Sequence, residues 1–328
     1  MGTPKLKPSI PKNERSLLYT GSVKRLFDAG NGLMSVTHDD DTYSAFDVGR
    51  SEQALKGMGR ALLRTSVDTY RLAEAVGIQT HFVGQEDEDT LLVRRFETPK
   101  DRPLRPDETD VMVRLEFIRR KYVSGRRARE YKAGTRKPTQ DGFATDDHVP
   151  DGTILPCPTH EVTTKWEDED LEIQDLQRIL EYAGITAVEW ERVWTLVDTL
   201  DGAIDLAAAR AGFDHLDSKK EFALVGPGRH WMLIDSAGTQ NEDRFAPRAK
   251  LQEGVVEHWS KEYLRQLLIA KGFKVQVDEA RKRGGAELPK YPIFSELEVV
   301  EIMSRYNGFA DRYRTAVNII LGSSEAGF

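Results

Sequence analysis

The chain has 328 residues, a net charge of −7 and 31 % charged residues, so its length allows a sizeable core in one large domain or two lobes. The negative charge gives no global reason to expect nucleic acid as a partner. The single cysteine, Cys157, excludes an internal disulfide bond and is typical of a reducing compartment, so we expect a cytoplasmic protein. No apolar run reaches the roughly 18 residues of a membrane-spanning helix, and we expect no membrane partner.

The N-terminal part of the chain predicts a loose tail followed by strands. Residues 1–16 lack an apolar signal core. Residues 17–27 then read as a strand, a glycine and a second apolar stretch. Gly21 would let the backbone approach a ligand closely, and Lys24 would offer a charge to a phosphate. A β-bulge in an antiparallel sheet is the alternative, and one glycine alone favours it.

A helix and a proline-marked connector follow. Apolar residues near 3.6-residue spacing predict an amphipathic helix over residues 53–76, whose glycine-rich start precedes the regular part. Residues 91–96 and 111–115 predict strands, and three prolines between them mark an extended connector. We interpret this connector as a hinge between an N-terminal nucleotide-binding lobe, residues 17–108, and a C-terminal lobe, residues 109–328.

A strongly basic stretch comes next. Arg114 ends a buried-looking strand, so its charge needs either a structural carboxylate or an anionic ligand. Residues 119–137 contain nine Lys or Arg and one acid, Glu130. The stretch has only two tyrosines, which argues against a platform for single-stranded nucleic acid. We therefore expect a solvated loop near a phosphorylated ligand.

Two long helices carry clear start signals. Thr186 with Glu189 and Ser295 with Glu298 are both capping boxes, and each precedes a run of apolar residues at helical spacing. These signals predict helices that extend to Ala211 and Ile320 respectively. Shorter helices are predicted over 173–182 and 255–270.

A β-hairpin near residue 227 brings two carboxylates together. Two short apolar runs flank Gly226-Pro227-Gly228. If Pro227–Arg229 form a three-residue connection, Glu221 lies opposite Asp235, and like charges in that position are destabilising. Two carboxylates that hold Mg²⁺, which in turn holds nucleotide phosphates, would relieve this repulsion. A four-residue turn is equally compatible; it would flip the register and favour a surface hairpin with solvated charges.

Several segments, in this order and spacing, resemble the phosphoribosylaminoimidazole-succinocarboxamide synthase (SAICAR synthetase) family over about residues 18–316. They are Leu18–Arg25 (LYTGSVKR), Ser44–Asp47 (SAFD), Val111–Arg114 (VMVR), Tyr122–Tyr131 (YVSGRRAREY), Asp217–Phe222 (DSKKEF) and Asp235–Phe245 (DSAGTQNEDRF). The resemblance implies an α+β fold of two lobes, distantly kinase-like. ATP would lie between an antiparallel-sheet N-terminal lobe and a larger mixed C-terminal lobe.

The family's activity is the formation of an amide with ATP and Mg²⁺ as cofactors. ATP phosphorylates the carboxylate of an aminoimidazole carboxylate ribotide, and the amine of aspartate then displaces phosphate. The resemblance thus implies a small-molecule carboxylate and an amino acid as partners. The oligomeric state stays open, and a homo-oligomer is compatible with the sequence.

Carried over position by position, the resemblance assigns roles to individual residues. The nucleotide would be contacted by Gly21, Ser22, Lys24 and Arg94. Mg²⁺ would be held by Glu221 and Asp235. The substrates would be bound by Asp47, Arg114, Arg126, Thr239, Asn241 and Arg244, of which Arg114 and Arg244 would hold the ribotide phosphate. The reacting carboxylate would lie near Lys219 and Asp217. This arrangement suits phosphoryl transfer, which needs positioning and neutralisation of developing charge.

The chain departs from the family pattern at several positions of the proposed substrate pocket. Met58 replaces a lysine between two glycines, Arg126 replaces a serine, and Ser236 replaces a glutamate. Glu242 and Asp243 stand where the family has two serines. We expect Arg126 either to pair with one of these new acids and close the pocket, or to add a bidentate phosphate contact.

These departures favour a specialised paralogue that uses the same activation chemistry on an altered substrate. A housekeeping purine-pathway enzyme is the first alternative. A non-catalytic nucleotide-binding homologue is the second, although such a protein has no need to keep both Glu221 and Asp235. A kinase-like phosphotransferase, which would release a stable phosphorylated product, is the third.

Overall fold

The computed structural model describes residues 6–38, 40–165, 171–285 and 287–323. The strands in these residues are β1 (Leu17–Thr20), β2 (Arg25–Gly30), β3 (Leu33–Thr37), β4 (Phe82–Asp87), β5 (Thr90–Arg94), β6 (Val111–Met112), β7 (Leu115–Tyr122), β8 (Ile154–Thr164), β9 (Glu172–Ile173), β10 (Phe213–Val225), β11 (His230–Ile234) and β12 (Arg244–Pro247). The helices are α1 (Met58–Ala75), α2 (Arg126–Ala133), α3 (Leu176–Ala183), α4 (Ala187–Arg210), α5 (Arg248–Gln252), α6 (Lys261–Ala270), α7 (Phe273–Lys282) and α8 (Glu296–Leu321).

Two antiparallel sheets organise the chain. The first has the order β1-β2-β3-β5-β4, and the second has the order β11-β10-β7-β8-β9 with β6 and β12 also paired to β10. The predicted α+β class with antiparallel sheets is therefore confirmed. The division into lobes at residues 17–108 and 109–328 stays a prediction. Among the described residues, no helix combines the length and apolar character needed to cross a membrane.

The long strand β10 is the centre of the second sheet. Its thirteen residues pair with four other strands, and Phe222 is fully buried within it. Phe117 of β7 contacts that ring and also Trp194 of α4 and Trp231 of β11, with centroid separations of 5.5–5.9 Å. Burial of each such side chain contributes roughly 1.5–3 kcal/mol. The strand that carries the candidate site is thus fixed by the main core.

The predicted loose tail is partly wrong. Ser9 and Ile10 donate backbone hydrogen bonds to the carbonyl of Ala29 at 3.0 and 3.1 Å. The side chain of Arg15 is only 3 % exposed and pairs with Glu86 at 2.6 Å. These contacts dock residues 6–16 on the first sheet, because its strands leave backbone and carboxylate acceptors there. Residues 1–5 of the predicted tail lie outside the described residues.

The hairpin has the longer of the two connections that the sequence left open. Val225 pairs with His230, so the connection has four residues and Glu221 pairs with Ile234. Arg229 adopts a positive φ of 46°, and its guanidinium binds Glu189 at 2.7 Å and three backbone carbonyls. These tertiary contacts fix the longer turn. Asp235, with a φ of 60°, lies one residue beyond the ladder.

The helix predictions hold best where a capping box was present. Both boxes are formed, and the helices that they start end at Arg210 and Leu321. The helix predicted over 255–270 begins later, at Lys261, because Ser260 caps its first turn. The basic stretch 119–137 is not a solvated loop, since it contains the end of β7 and the whole of α2.

A distant carboxylate positions α1. Both oxygens of Asp41 accept backbone N–H groups, from Gly57 at 2.7 Å and from Gly59 at 2.9 Å. Gly59 lies so close to the carbonyl of His38 that a Cβ atom would overlap it. Met58 between them is fully buried in an apolar cluster with Leu55. The family-like glycines therefore serve helix packing here, and position 58 does not face the site.

Candidate active site

Four charged side chains line one small cleft at the open end of the hairpin. They are Lys219, Glu221, Asp235 and Glu242. Alternation along β10 places Lys219 and Glu221 on the face that forms the cleft, while Ser218 points to the opposite face and binds Asp201 of α4. Because side chains alternate along a strand, the cleft lies on one face of β10, and the charged groups around Asp201 lie on the other.

Lys219 is surrounded by carboxylates. Its Nζ lies 2.7 Å from Glu116, 3.2 Å from Glu221 and 2.8 Å from Glu242. Burial disfavours the charged amine, but Glu242 and the other carboxylates hold the pKa of Lys219 well above its ordinary value. Lys219 is therefore a constant positive charge in the cleft.

Glu221 and Asp235 are each engaged by lysines. Glu221 is 2 % exposed and pairs with Lys165 at the end of β8. Burial raises the pKa of Glu221, and Lys165 opposes that shift. Asp235 pairs with Lys24, which reaches it from the loop between β1 and β2. Burial opposes ionisation of Asp235 too, but Lys24 and Lys165 hold its pKa well below the usual range.

Two buried side chains, Tyr70 and His81, fix the backbone of Asp235. The hydroxyl of Tyr70 donates to its carbonyl oxygen and lies 3.0 Å from Nε2 of His81. Burial lowers the pKa of His81 to about 3, so its imidazole is neutral. A buried phenol and a neutral imidazole thus support the strained residue that turns its carboxylate into the cleft.

The donor set of the cleft fits Mg²⁺. Glu221 and Asp235 offer carboxylate oxygens, the ligands that Mg²⁺ prefers, and they lie at the same end of adjacent strands. Their negative charges act on each other, since Asp235 contributes to the raised pKa of Glu221. A divalent cation between them would relieve that repulsion.

A second acidic cluster is an interior ion network. One ligand atom each from Asp201, His215 and Asp243 lies within 4.8 Å of the others. The Nζ of Lys220 already occupies that centre, 3.2 Å from Asp201 and 2.9 Å from Asp243. His215 binds Asp205 and Asp243 at 3.0 Å each. Because a fully buried ammonium group fills its centre, we describe this cluster as an interior ion network.

Two arginines meet at the other end of the same stretch of β10. Arg120 of β7 and Arg244 of β12 bind the same oxygen of Asp217 at 2.8 and 2.7 Å. Arg244 also binds Glu262 at 2.9 Å. Gly125, with a φ of 53°, lies so close that a Cβ atom would be 2.6 Å from Cζ of Arg244. Arg120 is buried and also binds Glu161 at 2.9 Å, so Arg244 is the more exposed of the two guanidinium groups. Arg244 beside the glycine backbone is a candidate contact for a phosphate.

The other two arginines assigned to the substrate, Arg114 and Arg126, make contacts away from Asp217. Arg114 precedes β7 and stacks on Tyr182 at 4.3 Å, and six residues, or about 20 Å of strand, separate it from Arg120. Arg126 binds Glu130 at 2.7 Å and Glu172 at 3.0 Å. The predicted pairing of Arg126 with the new acids is therefore wrong, because α2 directs its side chain elsewhere.

Glu242 and Asp243, the acids that replace the family's serines, pair with lysines and not with Arg126. Glu242 pairs with Lys219 at 2.8 Å. Asp243 pairs with Lys220 at 2.9 Å and accepts the backbone N–H of Lys219 at 3.1 Å. Asp243 is thus an interior anchor of β10, whereas Glu242 faces the cleft.

The remaining predicted nucleotide residues lie on the first sheet. Gly21 donates its N–H to the carbonyl of Lys24 at 2.9 Å, which closes the β1–β2 loop, and the carbonyl of Ser22 in that loop accepts from Thr42 at 3.3 Å. Arg94 ends β5 and binds Asp110 at 3.2 Å. Of these residues, the structure brings only the loop residue Lys24 into direct contact with a cleft carboxylate.

Three predicted substrate residues lie on two loops. Asp47 follows Phe46 in a turn where both have positive φ values, 52° and 56°, and Tyr291 holds this turn by accepting the N–H of Ala45 at 2.8 Å. Asn241 accepts the hydroxyl of Tyr306 at 2.9 Å. Thr239 is 1 % exposed and binds the carbonyl of Ser236 at 3.1 Å, so it shapes its loop.

Sequence reasoning missed Arg120 and gave no role to Lys165, Glu116 or Lys261. Arg120 was hidden because the basic stretch was interpreted as a loop. The segment Glu116–Tyr122 does carry a strand signal, since Phe117 and Arg120 fall on opposite faces of an extended chain. Its partner strand β10 places an acid, Asp217, opposite Arg120. Lys165 lies in a Thr-Lys segment that also fits the family pattern.

Known proteins are similar to this chain in both sequence and fold. The SAICAR synthetase family model matches residues 17–281. The phosphoribosylaminoimidazole-succinocarboxamide synthase of Thermoplasma acidophilum is 32 % identical over 297 residues, which cover 90 % of this chain and 97 % of the relative.

Solved structures resemble the fold at lower identity. A SAICAR synthase from Saccharomyces cerevisiae, complexed with SAICAR, has a TM-score of 0.64 at 19 % identity and covers 98 % of this chain and 100 % of its own. A type-2 SAICAR synthetase in complex with ADP has a TM-score of 0.60 at 20 % identity, with 89 % and 98 % covered. With the family match, these findings show that the chain belongs to the SAICAR synthetase family of ATP-dependent ligases, which form a carbon–nitrogen bond.

Proposed function

We propose that this enzyme joins an aminoimidazole carboxylate ribotide to aspartate, the reaction named by its relatives. The observation that carries the proposal is the guanidinium group of Arg244 beside Gly125, which Asp217 holds together with the buried Arg120. Glu221 lies on β10 four residues beyond Asp217, the residue that binds both arginines, which corresponds to about 13 Å. A phosphorylated substrate of nucleotide size can span that distance and place its carboxylate in the cleft.

The geometry gives no support to an altered substrate. Met58 is buried away from the cleft, and Arg126 is bound by Glu130 and Glu172. Of the departures that suggested a specialised paralogue, only Ser236 and Glu242 line the cleft. The substitution at position 236 has no explanation in the structure. The arginine that favours a phosphate is in place, so the housekeeping alternative is the better proposal.

The cleft residues divide the work of activation. We assign Lys24 to the nucleotide phosphates and Glu221 with Asp235 to Mg²⁺. Bound there, Mg²⁺ would neutralise phosphate charge during transfer. Lys219 stays protonated and orients the substrate carboxylate, whose oxygen attacks the γ-phosphorus of ATP while ADP leaves. The amine nitrogen then forms a bond with the acyl carbon as the carbon–oxygen bond to phosphate breaks.

Asp217 has an orienting role in this proposal. Both arginines bind its carboxylate, and Ser124 lies 3.5 Å away. Although burial opposes it, Asp217 and Glu262 raise the pKa of Arg244 above its ordinary value. The arginines therefore hold their positions without a ligand, which lowers the entropic cost of phosphate binding.

A coupled assay tests the proposal. The purified enzyme is incubated with Mg²⁺-ATP, the ribotide and aspartate, and the products are identified by mass spectrometry. We expect the succinocarboxamide with turnover of roughly 1–10³ s⁻¹. The dephosphorylated nucleoside is the matched control substrate, and it should react poorly. A stable phosphorylated product without amide would favour a phosphotransferase, and faster reaction of the nucleoside or of another amino acid would favour a specialised paralogue.

A further inference from the structure

One lysine near the cleft differs from all the others there. Lys24, Lys165 and Lys219 each pair with a carboxylate. Lys261, the first residue of α6, has its backbone N–H bound to the carbonyl of Gln240 at 2.7 Å. Among the described residues, Lys261 forms no ion pair within 4.0 Å, whereas the neighbouring Glu242 and Glu262 pair with Lys219 and Arg244. Lys261 is therefore an amine with no fixed counter-ion, docked on the loop that carries Glu242.

Charged groups from several elements act on this amine. Arg265 lies one turn further along α6, Glu242 lies on the loop before β12, and Lys219 lies on β10. The charge of Asp47, in the strained turn before α1, also acts on it. On the side of α8, Tyr306 is held by Asn241. Lys261 is thus anchored by its backbone to the loop that carries Glu242, within the electrostatic influence of Lys219 and Asp47.

Its surroundings favour the neutral amine. Partial burial and the charge of Arg265 lower the pKa of Lys261 to about 8, with Lys219 adding to the shift and Glu242 with Asp47 opposing it. The carboxylates around Lys219 instead raise its pKa well above the ordinary value. One lysine of the pair is a permanent cation, and the other can be uncharged near neutral pH.

Amide formation needs such a group. An amino acid arrives as an ammonium ion, whose nitrogen has no free electron pair and cannot attack an acyl phosphate. Glu221 and Asp235 are assigned to the metal, and Lys219 stays charged. Resting on the proposed function, we propose that Lys261 accepts the proton that the incoming amino acid must lose before its nitrogen attacks.

The step balances without another reactant. The neutral Lys261 takes one proton from the ammonium group, which leaves a neutral amine and a lysine cation. The amine nitrogen then bonds to the acyl carbon, the carbon–oxygen bond to phosphate breaks, and the departing phosphate takes the second proton of the former ammonium group. Lys261 returns its proton to solvent after the products leave.

A binding role makes the competing prediction. If Lys261 only attracts a carboxylate of the amino acid, any cation at that position serves, and loss of the charge raises KM. A base must instead lose and regain a proton near neutral pH, which arginine cannot do. The variants Lys261→Arg and Lys261→Gln therefore separate the two roles.

We expect both variants to form the amide about 10²–10⁴-fold more slowly, the usual contribution of a general base. Hydroxylamine in place of the amino acid is already neutral and needs no base. Both variants should therefore keep the wild-type rate of hydroxamate and ADP formation, which also shows that they fold and activate the carboxylate. Lys271→Gln, at the C-terminal end of α6 and paired with Glu298 at 2.9 Å, is the control and should change neither reaction.

The pH dependence gives an independent readout. In the wild type, kcat/KM for the amino acid should rise through about pH 8 as Lys261 loses its proton. In Lys261→Arg this rise should disappear and leave only the ionisation of the amino acid itself. Full activity of Lys261→Arg, or equal loss of the hydroxylamine reaction, would overturn the proposal. Absence of both products from the wild type would instead contradict the proposed function.

Discussion

Arg120 and Arg244 show how the site depends on single residues that lie far apart in the chain. They reach one carboxylate oxygen of Asp217 from two different strands. Gly125 gives them room, because its positive φ and missing side chain let Arg244 pass beside the backbone. At this scale the candidate anion site depends on a glycine as much as on its charges.

Gly125→Ala should therefore weaken binding of the phosphorylated substrate. A Cβ atom would displace the Arg244 guanidinium, and loss of one charge-assisted contact of about 1.5–3 kcal/mol corresponds to a KM increase of roughly 10–100-fold. Steady-state kinetics with varied ribotide measure it. Gly134→Ala is the matched control, since that glycine has a φ of 69° and open space around it. Equal effects of both substitutions would assign the loss to backbone strain alone.

The two carboxylates proposed to bind Mg²⁺, Glu221 and Asp235, make a second prediction at the residue scale. Glu221→Gln and Asp235→Asn should each slow ADP formation by at least about 100-fold, because a neutral amide cannot neutralise Mg²⁺ charge during transfer. Removal of one of two repelling carboxylates should leave the fold intact. Glu253→Gln, at an exposed ion pair, is the control. Unchanged ATP turnover in both site variants would refute the metal assignment.

At the scale of elements, local signals decided what the sequence could predict. The helices that follow Thr186 and Ser295 were predicted well because their capping boxes are formed by residues three positions apart. The length of the hairpin turn was left open between three and four residues, because Arg229 sets it through contacts with Glu189 and distant backbone. Strand β7 was missed because its cations are neutralised by carboxylates that no local pattern reveals. Sequence reasoning therefore placed Glu221 and Asp235 together, as the cleft has them, but did not identify Arg120.

Helix α1 offers a test of a contact that only the fold creates. Asp41 caps the helix from sixteen residues upstream of Gly57. Asp41→Ala should lower the free energy of unfolding by about 0.5–2 kcal/mol, the usual worth of an N-cap. Asp41→Asn keeps one acceptor oxygen and should lose less. Urea denaturation measures both, and equal stability of Asp41→Ala and the wild type would contradict the capping role.

For the whole molecule, the decisive feature is a charge network inside it. His215 of β10 binds Asp205 of α4 through one ring nitrogen and Asp243 of the loop before β12 through the other. Lys220 joins the same two segments through Asp201 and Asp243. The network thus fastens α4 and the loop to the strand that carries Lys219. It is the interior counterpart of the cleft on the opposite face of β10.

This network should make stability depend on pH in a defined direction. Burial opposes the imidazolium, but Asp205 and Asp243 raise the pKa of His215 from 6.5 to about 9. A raised pKa means that the folded state binds the proton more tightly, so this stabilisation is full below about pH 6.5 and is lost as the pH rises through about 9. The shift corresponds to about 3 kcal/mol at most.

The difference in unfolding free energy between the wild type and His215→Gln measures this contribution. We expect the difference to shrink by up to about 3 kcal/mol between pH 6 and pH 9.5, because the wild type alone loses the buried imidazolium. His230→Gln, at the exposed end of β11, is the control for a histidine outside the network. A constant difference across this range would mean that His215 is neutral in the folded protein. The carboxylates around Lys220 would then have to be balanced by that lysine and the neighbouring arginine, Arg119, alone.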